Sequence, residues 1–106
     1  MPLDFHIGDQ IDDASRTPPL LSVGLQVHSA FYRTELAHRC PALQRMDDYY
    51  SDYCFAGSEL VHLIAEIDTV CIKMPTASPH QSWMQELRVA CQTAIDNEKV
   101  LFALCD

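Results

Sequence analysis

Asp47, Asp48 and Asp52 are the closest approach to a reactive constellation in this sequence. Asp48 and Asp52 stand four residues apart, so on a helix they share a face and could hold a divalent cation. His62 and Glu66 repeat that spacing. Together the four side chains define a metal-dependent enzyme as one reading. Against it, a structural zinc site needs four ligands in recognisable pairs, and the sequence has no CxxC. His38 and Cys40, two apart, would fall on different faces of a helix. There is no GxSxG elbow, no P-loop and no GxGxxG, and three glycines cannot build a phosphate cradle. No catalytic residue, metal ligand or cofactor site is therefore assigned. The expectation is a protein that is not an enzyme.

The elements that would carry these residues read as mostly helical. Leu3 to Ile7 alternates apolar and polar, a short strand signal. Asp12, Asp13, Ser15 and the pair Pro18-Pro19 suggest a loop. From Leu20, the residues Val23, Val27, Ala30, Phe31 and Ala37 recur at helical spacing, although Ser22 to Val27 also alternates as a strand would. Pro41 marks a boundary and can open the next helix. There Leu43, Met46, Tyr50 and Tyr53 share one face, and Arg45, Asp48, Tyr49 and Asp52 the other.

Gly57 breaks that pattern, and Ser58 is the expected N-cap of a third helix. Its stripe is Leu60, Leu63, Ile64, Ile67, Val70 and Cys71, ended by Pro75. Ser78-Pro79-His80-Gln81 reads as a capping box opening a fourth helix, with Trp83, Met84, Leu87, Ala90, Cys91, Ala94 and Ile95 inward. Val100 to Leu104 reads as a buried terminal strand that can pair near Phe5. The expected fold is mainly α: a compact bundle of three to four helices, with a two-stranded β ribbon formed by the N- and C-terminal segments.

At 106 residues, 48% of them hydrophobic, the chain is expected to be one α-rich domain spanning 1–106 with its own core. Fifteen acids against seven Lys and Arg give a net charge of -8. That balance disfavours nucleic acid and anionic membranes, which need basic clusters. Neither a signal peptide nor a spanning apolar run is evident, and five widely spaced cysteines fit reduced thiols. A cytoplasmic location is the expectation.

The acids are concentrated. From Met46 to Ile72 the chain carries Asp47, Asp48, Asp52, Glu59, Glu66 and Asp68 without one Lys or Arg. Tyr49, Tyr50 and Tyr53 lie in the same window. A one-signed field beside aromatic rings suits docking onto a basic protein. The expected partner-binding residues are Asp47, Asp48, Tyr49, Asp52, Tyr53, Glu59, Glu66 and Asp68. Tyr49 is the expected anchor on the helix's polar face, with Tyr50 and Tyr53 as half-buried supports.

The run Asp47-Asp48-Tyr49-Tyr50-Ser51-Asp52-Tyr53 resembles the chemistry of the small acidic immunity proteins of bacteria. Among these, colicin nuclease immunity proteins present adjacent tyrosines and carboxylates from a four-helix domain to a basic nuclease. The resemblance implies a stoichiometric antitoxin that occludes a toxin domain and performs no chemistry. A structural or adaptor subunit, joined as a homodimer through an apolar helix face or the terminal strand, is the other non-enzymatic reading. The sequence leaves the oligomeric state open.

Overall fold

The computed structural model describes residues 2–105. Among them the chain forms a mixed α/β fold with six helices and one four-stranded antiparallel sheet, not a helical bundle with a ribbon. The order along the chain is β1 (Leu3–Gly8), α1 (Ile11–Ser15), β2 (Leu21–Val23), α2 (Leu25–Tyr32), α3 (Glu35–His38), α4 (Pro41–Gln44), β3 (Tyr53–Phe55), α5 (Ser58–Lys73), α6 (His80–Asp96) and β4 (Val100–Cys105).

The two end strands do pair. β1 and β4 run antiparallel over six residues, from Leu3 opposite Cys105 to Gly8 opposite Val100. They form the centre of a wider sheet, ordered β2-β1-β4-β3. β2 pairs Leu21 with Phe5 and Val23 with Leu3, and β3 pairs Tyr53 with Ala103 and Phe55 with Leu101. Leu3, Phe5, Leu21, Val23, Phe55, Leu101 and Ala103 thereby join one core. α6 lies against β1, β2 and β4, and α5 packs on α6. Leu60, Leu63, Ile67 and Val70 of α5 and Met84, Leu87, Ala90 and Cys91 of α6 fill the space between.

Two stretches expected to be helical are so only in part. Around Leu20 the alternating pattern wins: Leu21 and Val23 face the core while Ser22 faces out and donates to Asp4. After Pro41 the helix lasts a single turn. The Leu43 carbonyl accepts the Tyr32 hydroxyl and the Met46 carbonyl accepts from His28, both side chains of α2. These are carbonyls that a longer helix would spend on its own N–H groups. The chain then runs as a loop from Arg45 to Asp52 into β3.

The caps also differ from expectation. Gly57, not Ser58, caps α5, at φ 55°, a left-handed conformation that suits glycine. At α6 the Ser78 hydroxyl accepts from the His80 amide. Gln81 does not close a capping box. Its side-chain amide donates to the Cys71 carbonyl at 2.8 Å and ties α6 to the end of α5.

Candidate protein-docking site

The loop between α4 and β3 is built around Asp48. One carboxylate oxygen accepts the Tyr50 amide at 2.9 Å, the other accepts the Ser51 hydroxyl at 2.8 Å, and the Asp48 carbonyl accepts the Tyr53 hydroxyl at 2.7 Å. An aspartate bonded to the amide two residues on makes an Asx turn, which replaces the expected helix. The Tyr50 amide, with help from Ser51, holds the Asp48 carboxyl below its ordinary range. Asp52 anchors the other end, accepting the Cys105 amide at 2.8 Å and fastening the loop to β4.

That turn inverts the two adjacent tyrosines relative to the helical reading. Tyr49 is 5% exposed and belongs to the core, and Tyr50 is 72% exposed. The Tyr49 ring stands edge-on to His28 of α2, with centroids 5.2 Å apart, and edge-on to Tyr50 at 5.3 Å. Its hydroxyl is also hydrogen-bonded to the Leu3 backbone. Tyr53 is half-buried, and burial raises its hydroxyl pKa. The exposed ring therefore stands on a packed base.

Asp47, Asp48, Tyr49 and Tyr50 line a hollow of about 350 Å³ with Leu25, His28 and Arg33 of α2 and its end. Leu25 is 44% exposed and adds an apolar edge beside Tyr50. Asp47 accepts a hydrogen bond from the Gln44 side chain at 3.1 Å. Among the described residues neither Asp47 nor Asp48 forms an ion pair.

The remaining expected site residues lie apart and are engaged within the fold. Glu59 pairs with Arg45 at 2.7 Å and accepts the Ala56 amide. Glu66 accepts the Ala42 and Leu43 amides, both at 2.9 Å, and so closes the start of α4. Asp68 pairs with Arg88 of α6 at 2.6 Å. Glu59 and Glu66 border a second hollow with Arg45 and His62, and Asp68 borders a third with Cys71 and Ile72. The acidic window is one-signed along the chain but not in space. Arg45 enters from one residue before it and Arg88 from sixteen residues after it.

The four residues of the metal reading are divided likewise. Asp48 and Asp52 occupy the loop, and His62 and Glu66 lie on α5 beside the second hollow. Among the described residues, no group of three or more His, Cys, Asp or Glu side chains is placed to hold a metal ion. Burial raises the pKa of Cys91 to about 12 and also raises those of Cys40 and Cys71, which suits packing more than nucleophilic chemistry. Sequence reasoning missed Tyr50 as the exposed ring and His28 as its support. The aspartate two residues before Tyr50 was the available signal for a turn.

No protein-family model, no curated protein and no solved structure matches the chain. No helix among the described residues is long and apolar enough to cross a membrane.

Proposed function

We propose that this chain is a protein-binding domain that docks a basic partner through the loop 45–52, with Tyr50 as the anchor. The observation that carries the reading is Tyr50 itself, 72% exposed beside two carboxylates, Asp47 and Asp48, that form no ion pair among the described residues. Rigid aromatic rings on a packed base supply contact area at low entropic cost, and unpaired acids steer a cationic surface toward them. The net charge of -8 favours the same class of partner over nucleic acid or an anionic membrane.

Within that class, the resemblance to acidic immunity proteins favours a toxin domain as the partner, blocked by stoichiometric occlusion in the cytoplasm. The domain would need no cofactor. The likeness lies in the acid-tyrosine chemistry of the loop, since the α/β fold departs from a four-helix plan. The partner-binding set reduces to Asp47, Asp48 and Tyr50, with Leu25 at the edge and Tyr49, Asp52 and Tyr53 as supports. Calorimetric titration against a toxin domain encoded beside this gene tests the reading. The Tyr50→Ala variant should bind about tenfold more weakly or worse, as anchors do. Unchanged affinity in that variant would remove the site.

The second reading, a homodimeric adaptor, has its own observation. Ile72 on α5 is 83% exposed and Val89 on α6 is 64% exposed. Light scattering at low concentration distinguishes the two, since a monomer excludes the dimer.

A further inference from the structure

His28 is buried beneath the docking loop, and neither the turn nor the anchor makes direct use of its ability to titrate. It is one of three buried histidines, with His6 and His80, and the one that lines the loop's hollow. Its Nε2 lies 2.6 Å from the Met46 carbonyl oxygen. A carbonyl only accepts, so Nε2 carries the proton and donates. The Tyr32 and Tyr49 rings flank the imidazole, with centroids 4.5 and 5.2 Å away. Tyr49 in turn carries Tyr50 edge-on. Contact therefore passes from α2 through His28 and Tyr49 to the exposed anchor.

Among the described residues, the charged groups around the ring are few. Asp47 and Asp48 face it from the loop, and Arg33 follows α2 along the same hollow. The hydroxyl groups of Tyr32 and Tyr49 are held neutral by burial. Burial lowers the His28 pKa below its ordinary 6.5, outweighing the Met46 carbonyl and the two carboxylates.

We propose that His28 is the positioning residue of the docking loop, and that its protonation on acidification loosens Met46 to Tyr50 and releases a basic partner. This rests on the docking reading, but the loop device can be measured without a partner. Protonation puts a charge on a ring packed between two phenols. The charge is relieved when the ring moves toward water, which removes the Met46 bond and the seat of Tyr49. The same charge offsets Asp47 and Asp48 and weakens the field that attracts a cation. Both effects act in one direction.

Nuclear magnetic resonance across the acid range tests the device. The His28 ring should titrate below 6.5, and the amides of Met46, Tyr49 and Tyr50 should shift with the same midpoint. In His28→Gln, whose side-chain amide can still donate to Met46, those amides should stay fixed over that range. Loop amides that ignore the wild-type ring, or that move equally in the variant, would overturn the proposal. Titration with an octalysine peptide near neutral pH separates this from the docking reading. Peptide shifts at Asp47 to Tyr50 without pH coupling overturn the His28 device alone. Coupling without peptide shifts overturns docking, and partner release with it, while upholding the loop device.

Discussion

Tyr49 and Tyr50 are adjacent and chemically identical, yet one is core and the other surface. The difference is predicted to divide stability from binding. Tyr49→Ala removes a buried ring and should cost about 3 kcal/mol in urea unfolding. Tyr50→Ala should change stability by less than about 0.5 kcal/mol while it weakens docking by about tenfold or more. Asp48→Asn keeps an acceptor for the turn and removes the charge, so its effect should appear in the association rate. Arg33 is the like charge in the same hollow, and Arg33→Ala should speed association with a basic partner. Stopped-flow mixing measures both. The choice between the two tyrosines was not legible in the sequence. A helical reading assigns faces by period, but Asp48 replaces the helix with a turn, and its bond to the Tyr50 amide is the reason.

At the scale of elements, α5, α6 and the pairing of the two ends were legible. Each helix has a sustained apolar period over more than three turns, and β4 is a continuous apolar run. Pro41 does open α4, but the region from 45 to 53 was not legible. Its outcome depends on Tyr32 and His28 reaching the Leu43 and Met46 carbonyls and on Asp52 reaching the Cys105 amide. These contacts are distant in sequence and leave no local period. Glu66 shows the same principle, because its helix-capping role crosses 24 residues to the Ala42 amide. Glu66→Ala leaves two amides of α4 without their acceptor and should cost about 1–2 kcal/mol, read as a lowered thermal midpoint. The loop it supports should become the first segment to exchange its amide hydrogens.

Across the whole molecule, charge is divided by use. Among the described residues four carboxylates, on Asp9, Glu35, Glu59 and Asp68, form ion pairs, and Asp47 and Asp48 form none beside an exposed ring. Two of the buried histidines, His28 and His80, make stability depend on pH as well. Burial lowers the pKa values of His28 and His80 in the folded protein below 6.5, so folding favours their neutral forms. Their contribution is full above 6.5, declines as pH falls from 6.5 to the lowered values, and levels off below them. Urea midpoints should therefore drop between neutral and mildly acidic pH. Trp83, the one tryptophan, donates to His80 Nδ1 at 3.0 Å, so its fluorescence should report the change. On the docking proposal, Asp47, Asp48 and Tyr50 form the surface that meets a cation. The most direct measurement is a map of amide shifts on adding octalysine at low and then physiological salt. Shifts should concentrate at Asp47 to Tyr50 and at Leu25 and fade as salt rises. Shifts centred on Glu59, Glu66 or Asp68, or none at low salt, would contradict it.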